Sequence, residues 1–261
     1  MTGPTEPTRE PGQASFGYRD VSADEKAGMV RAVFESVAPR YDLMNDLMSA
    51  GIHRWWKNAM VAWLNPRPGQ VLLDVGGGTG DVALRALPRL TPADQPAAGR
   101  AIVCDASQQM LELGRARALD QGILTGIEWV CADAESLPAA DRSVDLYTIA
   151  FGLRNVTRID AALAEARRVL RPGGRFLCLE FAPEITPLLQ PFYDIYSFQI
   201  VPLLGAIVTG DREAYAYLVE SIRRFPRQGE LADMIARSGL DRVRYRNLTG
   251  GVAALHSAWR L

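Results

Sequence analysis

Three carboxylates stand at the ends of apolar runs: Asp74 after Val71-Leu72-Leu73, Asp105 after Ala101-Ile102-Val103-Cys104, and Asp133 just past Ile127-Glu128-Trp129-Val130-Cys131. The first opens the segment Asp74-Val75-Gly76-Gly77-Gly78-Thr79-Gly80, in which four of the five positions from 76 to 80 are glycine. Glycine lets the backbone bend sharply and approach a ligand where a side chain would clash. A helix-like run, Val82-Ala83-Leu84-Arg85-Ala86-Leu87, comes next. Strand, glycine turn and helix in that order open a nucleotide-binding α/β unit, and Gly78-x-Gly80-x-x-Ala83 meets a loose dinucleotide fingerprint. A tight turn without a ligand is the plain alternative, and this density of glycine speaks against it. At the strand end, the Asp74 carboxylate could also hold a cation.

Ligands of such sheets lie beyond the carboxyl ends of the strands, so the residues there are read in order. Asp105 falls about 20–25 residues past the glycines, where an acid bonds ribose hydroxyls. Asp133 and Ala134 offer a carboxylate and a backbone amide to an adenine edge. Ile149-Ala150-Phe151 ends a fourth apolar run, beneath the remainder of the ligand. Taken singly, Asp105 could be a helix N-terminal carboxylate and Asp133 a turn residue. Their joint placement at successive strand ends favours ligand roles.

These residues need a sheet to hold them. Strands are predicted over 70–75, 101–105, 127–131, 144–150 and 175–181, and helices over 80–88, 107–120 and 159–170, with a Pro/Ala loop at 88–99. Such alternation implies a parallel sheet covered by helices. A helix over 228–238 and two short strands flanking Gly250-Gly251 follow, and the Gly-Gly turn reads as a hairpin with one antiparallel pair. The fold class is therefore α/β and Rossmann-like, with a mostly parallel seven-stranded sheet whose last strand is antiparallel. Classical dinucleotide domains are parallel throughout. The methyltransferase fold that binds S-adenosyl-L-methionine (SAM) reverses its last strand, which tips the expected nucleotide toward SAM.

Around this sheet, residues 22–64 read as helical. Met29, Val30, Val33, Phe34 and Val37 recur at helical spacing, Ser22 with Glu25 suits a capping box, and a second helix spans 52–64. Residues 184–224 break the α/β rhythm with apolar residues at helical spacing between prolines, and are read as an inserted helical element. The organisation is then a disordered tail over 1–20 and one domain over 21–261, with a helical cap at 21–66 and the insertion at 184–224.

Composition narrows the classes. The 261 residues fit one large α/β domain. A net charge of −1 and the lack of a basic, aromatic-interleaved stripe argue against nucleic acid. Cys104, Cys131 and Cys178 are odd in number and lack metal-ligand spacing, so buried free thiols and no metal are expected. No apolar run reaches the roughly 18 residues of a membrane span. The first twenty residues have the pattern of neither a signal nor a transit peptide. A cytoplasmic setting is expected.

Two segments go beyond a generic fold. Tyr41-Asp42-Leu43-Met44-Asn45-Asp46-Leu47-Met48-Ser49 followed by His53-Arg54-Trp55-Trp56-Lys57 resembles the N-terminal signature of the ubiquinone/menaquinone biosynthesis C-methyltransferase family. Arg168-Val169-Leu170-Arg171-Pro172-Gly173-Gly174-Arg175-Phe176 followed by Leu179-Glu180-Phe181 is similar to its second signature. Phe151-Gly152-Leu153-Arg154-Asn155-Val156-Thr157 and Asn247-Leu248-Thr249-Gly250-Gly251-Val252-Ala253-Ala254-Leu255-His256 also match, so the likeness covers roughly 16–258. The resemblance implies SAM-dependent methylation of a ring carbon of a polyprenylated benzoquinol or naphthoquinol. It implies cofactor contacts at Thr79, Asp105, Asp133 and Ala134, beside the glycine loop of Gly76, Gly78 and Gly80. A further contact, often serine in the family, is Ala150 here.

A ring carbon becomes nucleophilic when a neighbouring hydroxyl loses its proton and the phenolate pushes charge onto the ortho position. Catalysis then rests on in-line positioning and stabilisation of the phenolate. The candidates are Tyr41, Asp42, Asn45 and His53 from the N-terminal helices, and Arg154 and Asn155 after the fourth strand. His53 is the group that titrates near neutral pH, with a satisfied core histidine as the plain alternative. Arg154 stays charged and is expected to hold the phenolate, directly or through a water, while Asn155 sets the geometry. His256 reads as structural. Residues 185–208, rich in aromatic and aliphatic side chains, are candidates for an isoprenoid tunnel or for peripheral contact with the inner face of the cell membrane, with a homodimer interface or ordinary core as the plain alternative; a homodimer or a quinone-biosynthesis complex is the expected partner. The competing functions are a SAM-dependent methyltransferase of another small lipid or phenol, and a non-catalytic SAM-binding scaffold.

Overall fold

The structure is a computed structural model that describes residues 13–37, 46, 49, 51–92, 99–186 and 212–261. Its centre is a seven-stranded sheet in the order β5-β4-β3-β6-β7-β9-β8. The strands are β3 (Val71–Val75), β4 (Arg100–Asp105), β5 (Ile127–Cys131), β6 (Val144–Ala150), β7 (Leu170–Phe181), β8 (Asp241–Leu248) and β9 (Ala253–Trp259). Pairings from β5 through β7 are parallel, and β9 runs antiparallel to both β7 and β8. The parallel sheet with a reversed last strand agrees with the sequence. The strand predicted from residue 175 begins earlier, at Leu170, because the Pro172-Gly173-Gly174 turn is absorbed into a register shift opposite Val144–Leu146.

Successive strand residues point to opposite faces, and both faces are covered. Leu73, Val75, Tyr147, Ile149 and Phe176 pack with α5 (Ile159–Val169) and α7 (Gln228–Arg237). Leu72, Leu146, Leu177 and Leu255 face the other way, toward α2 (Ile52–Leu64) and α3 (Asp81–Leu90). Two-sided burial explains why the parallel strands read as continuous apolar runs. A further covering helix, α4 (Gln108–Asp120), links β4 to β5. Of the three cysteines expected to be buried, Cys104 and Cys178 are, whereas Cys131 is exposed. It sits on β5 at the edge of the sheet, where only one neighbouring strand covers it.

Residues 13–22 depart from the disordered tail expected over 1–20. They form an antiparallel pair, β1 (Gln13–Phe16) and β2 (Arg19–Ser22). A lone hairpin is marginal, and this one is held by α6 (Arg212–Arg224). The Arg224 guanidinium donates to Ser15 Oγ at 3.0 Å, Asp20 Oδ1 at 2.9 Å and the Tyr18 carbonyl at 3.0 Å. Glu220 accepts the Tyr18 N–H at 3.0 Å, and Phe16 stacks on Tyr217 with centroids 4.1 Å apart. The hairpin leads into α1 (Ala23–Val37), whose start carries the expected capping box: Glu25 accepts the Ser22 N–H at 2.9 Å and Ser22 Oγ accepts the Glu25 N–H at 3.3 Å. The helical reading over 184–224 is met at its end by α6; residues 187–211 lie outside the described residues.

Candidate functional site

Strand order reverses between β3 and β6, and the crevice outside the carboxyl ends of these strands is where such sheets bind ligands. There the glycine segment turns from β3 into α3. Gly76, Gly78 and Gly80 take φ of 58°, 54° and 76°, in the left-handed region. At Gly80 a Cβ would lie 2.7 Å from the Trp129 indole, so this glycine is required by packing beneath the loop. Asp74 also works from below. Its Oδ1 accepts the Thr148 hydroxyl at 2.6 Å and its Oδ2 the Ala83 N–H at 3.2 Å, which ties β3 to β6 and to the first turn of α3. Each oxygen of this carboxylate is thus engaged by one protein donor. Complete burial pushes the acid up to about 7, with the Thr148 and Ala83 hydrogen bonds opposing it.

Above the loop lies an open cleft with about 930 Å3 of empty space, its open mouth included. Gly76, Gly78, Asp105, Asp133, Ala134 and Asn155 line it, together with Phe151-Gly152. Asp105 accepts the Gly78 N–H on Oδ2 at 2.8 Å and the Ser107 N–H on Oδ1 at 2.9 Å. These bonds orient the carboxylate, and each oxygen keeps a lone pair for a ligand hydroxyl. Burial raises its pKa and the two N–H donors lower it. Asp133 accepts the Glu135 N–H at 2.9 Å, so it is a turn residue while also facing the cleft. Ala106, Met110 and Ala132 add an apolar wall.

Thr79, Gly80, Asp74 and Ala150 are not on the cleft lining. Thr79 is buried and its hydroxyl accepts from Arg117 at 3.2 Å. Ala150 packs with the core on the α2 side. The far wall is α1, through Ala27, Val30 and Arg31, and the Lys26 ammonium donates to the Val156 carbonyl at 2.8 Å, fastening that wall to the loop after β6.

At the end of β6 the chain turns through Phe151, whose φ of 58° is unusual for a residue with a side chain. Its N–H donates to the Leu179 carbonyl at 2.8 Å. Its carbonyl accepts Arg154 Nη1 at 2.6 Å and Asn155 Nδ2 at 3.4 Å. Asn155 faces the cleft; Arg154 does not. The expectation that Arg154 reaches a phenolate meets a guanidinium committed elsewhere. Nη1 pairs with Glu180 Oε2 at 2.9 Å, and the group lies 5.5 Å over the Phe181 ring. Phe151, Phe181 and Trp56 form an aromatic cluster with centroids 4.7 to 6.1 Å apart.

His53 is buried and bonds Asp46 Oδ1 at 2.8 Å through Nε2, and Asp46 also pairs with Arg54. Burial holds the imidazole pKa below its usual value, so the ring is neutral near pH 7. It is not on the cleft lining. Tyr41, Asp42 and Asn45 lie outside the described residues. His256 is buried in β9 with Nε2 on the Gln228 carbonyl at 2.9 Å, as its structural reading expects. Sequence reasoning gave no role to Glu180, Tyr217 or Thr148. Glu180 had a usable signal, being the acid within the apolar run Leu177-Cys178-Leu179-Glu180-Phe181. Tyr217 had none, because its partner Asn155 is 62 positions away.

The strand order, the reversed β9, the glycine loop and the acid at the end of β4 define a SAM-dependent methyltransferase, and SAM is its cofactor. The cleft suits that molecule, with close backbone approach at Gly76 and Gly78, free lone pairs on Asp105 and an apolar wall. The chain belongs to the ubiE/COQ5 methyltransferase family, whose model matches residues 20–260. It is 56% identical to the ubiquinone/menaquinone biosynthesis C-methyltransferase UbiE of Dinoroseobacter shibae, over 94% of this chain and 96% of that one. Identity to the protein of the same name from Paracoccus denitrificans is also 56%, over 97% and 98% of the two chains. The crystal structure of a SAM-dependent methyltransferase of Thermotoga maritima shares the fold at a TM-score of 0.62 and 18% identity, over 89% of this chain and 100% of that one.

Proposed function

We propose that the protein methylates a ring carbon of a polyprenylated benzoquinol or demethylmenaquinol in ubiquinone/menaquinone biosynthesis. The observation that carries this reading is the 56% identity, over nearly the whole chain, to relatives bearing that name. SAM supplies an electrophilic methyl group. The chain's own part is to hold and orient. Gly76 and Gly78 admit the cofactor backbone-first, Asp105 takes the ribose hydroxyls, and Asp133 with Ala134 reads the adenine edge. Phe151-Gly152 and Asn155 stand at the reacting end. Asp74, Thr79, Gly80 and Ala150 support these residues from beneath. Phe151 lines the cleft with Trp56 and Phe181 packed behind it, and the amide of Asn155 donates to the developing phenolate. Arg154 acts one layer back, by fixing the Phe151 carbonyl. Tyr41, Asp42 and His53 are taken as the further catalytic candidates, of which Tyr41 and Asp42 lie outside the described residues.

A lipid-soluble tail requires delivery from a bilayer. No helix among the described residues is long and apolar enough to cross a membrane. The reading is therefore a cytoplasmic enzyme with peripheral contact at the inner membrane face through residues 185–208, most of which lie outside the described residues. The test is twofold. Cells lacking the protein should accumulate a quinone lighter by one methyl, seen by mass spectrometry. Purified protein should transfer labelled methyl from SAM to that quinol. Absence of both results overturns the assignment, and cofactor binding without turnover on any quinol would favour a scaffold.

A further inference from the structure

Asn155 lines the cleft from the turn after β6, as does Thr157 two residues on. An amide can sit in two orientations related by a half-turn, because its terminal torsion is broadly twofold. In this protein the two are not equivalent. Tyr217, on α6, places its hydroxyl 3.1 Å from Asn155 Oδ1. A carbonyl oxygen only accepts, so the tyrosine donates. Nδ2 then faces the Phe151 carbonyl at 3.4 Å with one N–H, and the other N–H remains for an occupant of the cleft. In the flipped state Oδ1 would meet the Phe151 carbonyl, acceptor against acceptor.

We infer that Tyr217 is a positioning residue for methyl transfer, holding the Asn155 amide so that its free N–H faces the substrate oxygen; the reaction itself rests on the function proposed above. The hydroxyl is well placed for this. Tyr217 is 5% exposed, and burial pushes its pKa up to about 12, so it keeps the proton it donates. Arg154 and Glu180 are the charged groups that face it, and their influences on it are opposite in sign.

A second relationship gives Tyr217 its own fixed place. Its ring stacks on Phe16 at 4.1 Å with planes 15° apart. Phe16 belongs to the N-terminal hairpin, which Arg224 and Glu220 tie to the same helix. The hairpin thus holds the tyrosine, the tyrosine holds the amide, and the amide bonds the left-handed Phe151 at the cleft floor. Residues far apart in the chain are thereby required to meet before the reacting end is in order.

The test is Tyr217→Phe in the full chain, which keeps the ring and its stack and removes only the hydroxyl. We expect kcat on the quinol to fall about tenfold, the worth of one hydrogen bond, with the SAM dissociation constant and Tm near wild type. In an Asn155→Ala background the same change should cost nothing further, since residues acting through one another are non-additive. A readout independent of substrate is the 15N resonance of the Asn155 side-chain amide, assigned by its loss in Asn155→Ala. It should be a single slowly exchanging pair in the wild type and broadened or shifted in Tyr217→Phe. Wild-type kcat in Tyr217→Phe, a full additional loss in the Asn155→Ala background, or an unchanged amide resonance would each overturn the inference. If the wild type transfers no methyl to any quinol, the proposed function fails, and the amide resonance still decides whether Tyr217 sets Asn155.

Discussion

Arg154 and Glu180 form an ion pair at 2.9 Å with side chains only 7% and 1% exposed, immediately behind the cleft. Glu180 spends both oxygens on this turn, accepting the Arg154 backbone N–H at 3.2 Å as well. The arginine Nη1 is shared with the Phe151 carbonyl, while its Nε has no hydrogen-bond partner among the described residues. A buried charge is tolerable when paired and costly when its partner is removed.

Glu180→Gln should therefore destabilise the protein by about 3–5 kcal/mol, the usual cost of leaving a buried charge alone, as measured by urea unfolding. Replacing both members, Arg154→Met with Glu180→Leu, should recover most of that stability. Turnover of the double variant should nonetheless remain down on the order of tenfold, because the Phe151 carbonyl has lost a donor. Wild-type stability in Glu180→Gln would show that the pair is not intact in solution.

The cleft and its support should separate by measurement. Asp105→Ala should weaken SAM binding by at least ~1 kcal/mol in calorimetry, the scale of a hydrogen bond to a charged group. Gly80→Ala should instead lower stability by about 1–3 kcal/mol, since its φ of 76° is strained for any side chain and Trp129 occupies the space of a Cβ. Unchanged SAM affinity in Asp105→Ala would place the ribose elsewhere, and an unchanged Tm in Gly80→Ala would mean that the loop is not packed as described.

Two buried groups give opposing slopes of stability with pH. The Asp74 carboxyl, pushed up to about 7, is protonated more readily in the folded state than in the unfolded chain, where it ionises near 3.8. Its contribution is full below the unfolded value and is lost as pH rises through about 7. His256, held down to about 4 by burial, behaves oppositely: its contribution is present above 6.5 and is lost as pH falls toward 4. Asp74→Asn removes the first slope, so stability of this variant relative to wild type should improve as pH rises from about 4 to 7. A difference that stays constant across that interval would mean that Asp74 is ionised normally.

Much of the architecture was legible because apolar periodicity is local. The runs ending in Asp74, Asp105 and near Asp133 marked β3, β4 and β5, the Gly250-Gly251 turn marked the reversed β9, and the glycines marked the loop above them. The family followed from contiguous motifs. What the sequence did not carry was which side chains at the strand ends face the cleft. Asp105 and Asp133 do, whereas Asp74, only two residues before Gly76, is drawn under the loop by Thr148 and Ala83. The left-handed turn at Phe151 likewise sends Asn155 to the cleft and Arg154 behind it. The hairpin at 13–22 and the Tyr217–Asn155 bond depend on partners 62 to 209 positions away. Local propensity is a property of neighbours in the chain, so it sets elements and their order. The direction of a side chain at a turn, and the partner that satisfies a buried polar atom, are settled only when the elements pack.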